Sequence, residues 1–357
     1  MRRHFVDTWK CETTPHATSH RIRFTEKCAN FGNRAPGVIR RYAVTNPNSN
    51  LIRWVKPLMR SAKPLLALLV CESLAGQAAL AEPPFGAQGP EGEPNREQQW
   101  RVPTPDADVS ARAVLFRPQG EGPFRLALIA HATTQNVLRR AQMPQPEYRA
   151  LAAFLVARGF AVLVPERLGH GVTGGKYLED QGGCDDADYV HAARATADEI
   201  ALPLEFLRGQ SFIRKDGAVI VGHSAGGWGA LALASEDPKS ISAIIAFAPG
   251  RGGHANDFPN HVCAPHTLVA SVVEFGKTAR VPVSWLVAAN DSYFAPDLSR
   301  RLADAFRSSG GKADFRVLAP SGSEGHWLAE TESGVRIAGS ELDRALKLQA
   351  PMAAKKR

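Results

Sequence analysis

Beyond residue 58 the chain carries no excess charge, and that absence sets the first limit on function. The formal net charge is +8 over 357 residues. All of it lies in residues 1–58, where eleven Lys and Arg (Arg2 to Lys56) face only Asp7, Glu12 and Glu26. From Met59 onward the two signs cancel, so a basic groove for nucleic acid is not supported. Long apolar runs are missing as well. The stretch Pro64–Cys71 is far shorter than the roughly 20 residues of a bilayer-spanning helix, which argues against a stable membrane anchor. Cysteine is scarce: of five, only Cys184 and Cys263 lie beyond residue 81. No repeat at solenoid spacing occurs. At 44% hydrophobic and 22% charged residues, the composition suits one large α/β domain.

The N-terminal region divides in three. Residues 1–58 lack a sustained period or an apolar face and read as disordered. They are expected to be absent from the mature protein, with Met59 as the true start; a basic transit sequence is the alternative. Residues 59–81 have the order of a secretory signal peptide: Arg60 and Lys63, then Pro64–Cys71, then Ala79-Leu80-Ala81 as cleavage site. Glu72 is a blemish in that pattern. The protein is therefore expected to be periplasmic or secreted; the alternative is a cytoplasmic enzyme with an amphipathic tail. In an oxidising compartment Cys184 and Cys263 become candidates for a disulfide. Residues 82–97, rich in Pro, Gly and Glu, read as a flexible leader. The catalytic domain is expected over 98–350, with a basic tail over 351–357.

Within 98–350 apolar runs alternate with helical patterns. Strands are expected at Ala111–Phe116, Arg125–Ala130, Phe160–Val164, Ala218–Val221, Ile241–Phe247, Pro282–Ala288 and Asp314–Leu318. Helices are expected at Glu147–Arg158, Asp188–Arg208, Gly226–Ser235, Leu298–Ser308 and Gly334–Leu348. The alternation implies right-handed crossovers and a mainly parallel sheet with helices on both faces. Continuous runs such as Phe160–Val164 fit strands covered on both sides. In such sheets ligands gather beyond the carboxyl ends of the strands, so catalytic residues should follow strands directly.

One strand ends in Gly222-His223-Ser224-Ala225-Gly226 and leads into a helix, which is the context of a nucleophile elbow. A serine on so tight a turn needs neighbours without bulk, and the following helix aims its N–H groups at the reaction centre. No Gly-Lys-Ser/Thr follows, so a phosphate loop is not supported. A serine hydroxyl needs an imidazole base oriented by a carboxylate. Asp291 stands at the end of Pro282–Ala288; Asp257, deeper in a Gly-rich loop, is the competing acid. His326 follows the last strand and is the sole histidine beyond Asp291. Two N–H donors must hold a tetrahedral oxyanion. Ala225 supplies one, and the loop after Arg125–Ala130 the other, through Thr133 or, second, Ala132. Trp228, Tyr293, Trp327 and Arg251 are candidate substrate contacts. His254, His261, Cys263 and His266 match no usual zinc spacing, and neither metal nor cofactor is called for.

The segments LIAHA, VPERLGHG, GHSAGG, AANDSYF and GHW resemble the dienelactone-hydrolase-like branch of the α/β-hydrolases over about residues 98–350. The resemblance implies the α/β-hydrolase fold without a large cap domain, and a serine esterase or acyl-peptide-type peptidase. Dienelactone hydrolases proper use cysteine where this chain has Ser224, so dienelactone itself is not the expected substrate. A carboxylic ester or other small acyl substrate is expected, with a serine peptidase second. A non-catalytic binding protein on the same fold is a third reading, disfavoured by retention of all three catalytic types. Oligomeric state is left open.

Overall fold

The computed structural model describes residues 11–16, 23–28, 85–236 and 239–347. The chain divides into two compact units, Met1–Ala75 and Gly76–Arg357. In the first, β1 (Cys11–His16) and β2 (Arg23–Cys28) pair antiparallel. The expected signal peptide and the basic tail lie outside the described residues.

The second unit is built on a nine-stranded sheet. In chain order its elements are β3 (Gly86–Gly92), β4 (Glu97–Val102), β5 (Ala111–Phe116), β6 (Arg125–Ala130), α1 (Val137–Ala141), α2 (Arg149–Val156), β7 (Phe160–Pro165), α3 (Tyr189–Arg208), β8 (Ala218–His223), α4 (Ala225–Ser235), β9 (Ile241–Phe247), α5 (Pro265–Thr278), β10 (Val283–Ala288), α6 (Pro296–Ser308), β11 (Ala313–Leu318) and α7 (Glu332–Lys347). Across the sheet the order is β11-β10-β9-β8-β6-β7-β5-β4-β3. The six strands from β11 to β7 run parallel; β5, β4 and β3 continue the sheet antiparallel.

Alternation along the strands sends side chains to two cores. From β6, Leu126, Leu128 and Ala130 join Ile200 of α3, Trp228 of α4, Phe275 of α5 and Phe306 of α6 on one face. Ala127 and Ile129 join Leu151 of α2 and Leu342 of α7 on the other. Helices thus cover both faces, which is why these strands read as unbroken apolar runs. The chain leaves β6 for β7 on one side and then returns to β8 on the other. That reversal opens a crevice at the carboxyl ends of β6 and β8, where the elbow sits.

Two expectations need correction. The stretch 82–97 is not a flexible leader from residue 86 on: β3 pairs with β4 through Gly86↔Arg101 and Gln88↔Gln99. Phe85 and Trp100 both pack edge-on against Phe206 of α3, with ring centroids 5.7 and 6.5 Å apart. The second is a helix absent from the expected set: Pro265 opens α5 between β9 and β10. That helix buries Leu268, Val272 and Phe275 along one stripe.

Candidate active site

Ser224 stands between β8 and α4 at φ 55, ψ −118, a backbone region that non-glycine residues occupy at a cost. The structure holds it there from both sides. Its N–H donates to Phe247 O at 2.9 Å, and its carbonyl accepts from Trp228 N (2.9 Å) and Gly250 N (3.2 Å). The flanking glycines are required by close approach. A Cβ on Gly222 would lie 2.5 Å from Gly227 Cα, and one on Gly226 would collide with the Ala130 carbonyl.

Asp291 follows β10 and His326 follows β11, in loops that meet beyond the sheet. His326 Nδ1 lies 3.1 Å from Asp291 Oδ2. The other carboxylate oxygen accepts the N–H groups of Tyr293 and Phe294, each at 2.8 Å. Burial opposes ionisation of Asp291, but the His326 hydrogen bond and charge and these two N–H donors outweigh it, so its carboxyl titrates below the ordinary value. Burial likewise disfavours a charged His326 and outweighs Asp291, leaving the imidazole below its usual value and neutral at pH 7. Ser224, Asp291 and His326 are 6%, 3% and 2% exposed. Glu324 braces both loops, accepting the N–H groups of His326 (2.9 Å) and Ser292 (3.1 Å). Asp257, the competing acid, instead pairs with Arg139 at 3.0 Å on the surface.

On the opposite side of the crevice the loop after β6 presents Thr133. Its hydroxyl lies 2.5 Å from His170 Nε2. His170 Nδ1 faces the carbonyls of Leu168 (2.9 Å) and Arg167 (3.2 Å), so Nδ1 carries the ring proton and Nε2 accepts from Thr133. Burial depresses the His170 value to about 4, which fixes the neutral ring. The Ala132 N–H donates to the Tyr148 hydroxyl at 3.2 Å and is thereby occupied. No hydrogen bond within the described residues takes the N–H of Thr133 or of Ala225. Unlike the Ala132 N–H, these two are without an acceptor among the described residues.

Of the proposed substrate contacts, Tyr293 and Trp327 lie at the site. The Tyr293 ring stacks on His326 at 4.3 Å and on His254 at 3.5 Å; Trp327, 39% exposed, packs edge-on to His326 at 5.3 Å. Trp228 and Arg251 do not serve this role. Trp228 points from α4 into the core, its Nε1 donating to Tyr189 O at 3.0 Å. Arg251 is buried in an ion cluster, bonded to Glu179 and, at 2.8 Å, to the Thr196 hydroxyl. Arg167 bonds the same Glu179 carboxylate. Cys184 and Cys263 form a disulfide, with Cα atoms 5.0 Å apart. Among the described residues no group of His, Cys, Asp or Glu could hold a metal ion. His254, Tyr148, His170, Glu324 and Glu330 were not assigned to the site from the sequence.

The strand order and the elbow define the α/β-hydrolase fold, and among the described residues no insertion forms a cap domain. The fold is that of the α/β-hydrolases. The family described as serine aminopeptidase, S33, matches residues 145–274, a span that holds Ser224 but neither Asp291 nor His326. Among solved structures, the esterase Pf2001 of Pyrococcus furiosus is similar at 14% identity and TM-score 0.50, over 75% of this chain and 99% of that one. The acylaminoacyl peptidase of Pyrococcus horikoshii is similar at 12% identity and TM-score 0.51, over 73% of this chain but 43% of that one. Est1E of Butyrivibrio proteoclasticus, solved with ferulic acid, shares 15% identity at TM-score 0.48 over 69% of this chain and 98% of that one. No curated protein matches the chain in sequence.

Proposed function

We propose that the chain is a serine hydrolase that cleaves a carboxylic ester through an acyl-enzyme. The observation that carries this reading is the buried His326–Asp291 pair at 3.1 Å, on the sheet edge that also carries the elbow serine. His326 accepts the Ser224 proton as Oγ bonds to the ester carbonyl carbon. The resulting oxyanion is held by the N–H groups of Ala225 and Thr133. Collapse breaks the bond to the alcohol, which leaves with the proton from His326. Water, deprotonated by the same imidazole, then attacks the acyl-serine and releases the acid. Asp291 keeps its charge throughout and stabilises the imidazolium.

A peptidase reading has support in the serine aminopeptidase match and the likeness to the acylaminoacyl peptidase. The ester reading is preferred because the esterase likeness runs over nearly the whole of that protein, without an accessory domain. A small acyl ester is the substrate proposed, in keeping with the likeness to the Pyrococcus furiosus esterase. Export through residues 59–81 is part of the proposal, and the Cys184–Cys263 bond favours an oxidising compartment.

A fluorophosphonate probe should label the wild-type chain and leave Ser224→Ala unlabelled with its melting curve intact. Labelling that survives this substitution would remove Ser224 as nucleophile. A panel of p-nitrophenyl esters against aminoacyl anilides then decides between ester and peptide.

A further inference from the structure

The base and the oxyanion donors belong to loops far apart in the chain, yet they must face one tetrahedral centre. A buried chain of hydrogen bonds joins them. His223, the residue before the nucleophile, is 1% exposed, and its Nε2 lies 2.8 Å from the His326 carbonyl oxygen. A carbonyl only accepts, so Nε2 carries a proton. Its Nδ1 lies 2.9 Å from the Tyr148 hydroxyl and 3.2 Å from Glu330 Oε1. The phenolic oxygen in turn accepts the Ala132 N–H at 3.2 Å. The contacts run from the Ala132 N–H to the Tyr148 oxygen, from Tyr148 to His223 Nδ1, and from His223 Nε2–H to the His326 carbonyl. Glu330 Oε1 accepts the phenolic proton at 3.2 Å and lies beside His223 Nδ1. Tyr148 caps α2 at φ 48, a left-handed conformation that a tyrosine adopts only under constraint.

One end of this chain fixes the peptide next to the Thr133 donor. The other fixes the backbone from which the base projects. We propose that Tyr148 and His223 are positioning residues that hold the Thr133 N–H and the His326 imidazole in register with each other. The inference rests on the serine-hydrolase reading above. Neither side chain touches the reacting atoms, so their loss lowers turnover and leaves substrate affinity nearly unchanged.

The test uses steady-state hydrolysis of a p-nitrophenyl ester by the full chain. His223→Leu should lose about 100-fold in kcat, the scale of a displacement of about 1 Å, with KM within about twofold. Tyr148→Phe should lose about tenfold, the scale of one lost hydrogen bond. His223→Gln, whose amide N–H can replace Nε2–H, should recover most of the turnover. The Tyr148→Phe/His223→Leu double variant should be no slower than His223→Leu alone, because a broken chain is broken once. Wild-type kcat in His223→Leu, equal losses in the Leu and Gln variants, or losses that multiply in the double variant would each overturn the proposal. Should His223→Leu fail to fold, Tyr148→Phe against His223→Gln decides: full activity in Tyr148→Phe overturns it. Ser224→Ala is the separate control. Turnover persisting there sinks the hydrolase reading itself, whatever these variants do.

Discussion

The two sides of the crevice are built from histidines used in opposite ways. On the side of β10 and β11, His326 meets Asp291, and Glu324 stands behind it, so the imidazole has carboxylates to receive it when it gains a proton. On the side of β6 and β7, His131 and His170 face carbonyls and one another's loops. The His131 Nδ1 lies 2.6 Å from Ala132 O, and its Nε2 accepts the Arg167 N–H at 3.1 Å. Burial and the nearby Arg167 charge keep His131 well below its usual value. One side is arranged for a change of charge, the other to forbid one. A reaction that moves a proton onto one ring while building an oxyanion nearby needs that division.

The largest effect is expected from Asp291→Asn. It should lower kcat by about 10⁴ with little change in melting temperature, as measured by steady-state kinetics and calorimetry. Next is Arg251→Met, which strips one of two guanidinium partners from the buried Glu179. It should destabilise the fold by about 3–5 kcal/mol in chemical denaturation and leave KM unchanged, because Arg251 meets no substrate. Third is pH. Since burial holds His326 below the ordinary 6.5, the acidic limb of kcat/KM should have its midpoint below that value, with activity rising as the base becomes neutral. The same logic separates Glu199, which burial and the Glu179 charge push up to about 8. A raised carboxyl contributes stability below its unfolded value that is lost as pH rises to about 8. Glu199→Gln should therefore gain stability relative to wild type between pH 5 and 9, read from melting curves. The smallest effect is Thr133→Val. With the hydroxyl already given to His170 and the N–H retained, kcat should fall by less than about tenfold.

Much of this was legible because strand ends carry chemistry. β5, β6 and β9 begin and end where their apolar runs do; Ser224 follows β8 directly, Asp291 lies three residues past β10, and His326 lies eight past β11. Direction was not legible. Trp228 and Arg251 lie close to the elbow and the crevice in sequence, but a position four residues into α4 faces α3 and α5, and Arg251 turns inward to Glu179. β3 was hidden by its three glycines and Pro90, since its strand character comes from edge pairing with β4 and not from its own side chains. Tyr148 and Glu330 carry no local signal at all. Their contact joins positions 182 residues apart, which only the closed sheet brings together.

In the proposed mechanism Ser224 carries the acyl group between the two half-reactions. Acid-quenching a reaction with a p-nitrophenyl ester in the pre-steady state and measuring the digested protein by mass spectrometry tests it directly. An acyl mass increment should appear on the peptide containing Ser224, formed in step with a burst of p-nitrophenol. Steady turnover with no increment on that peptide would contradict it.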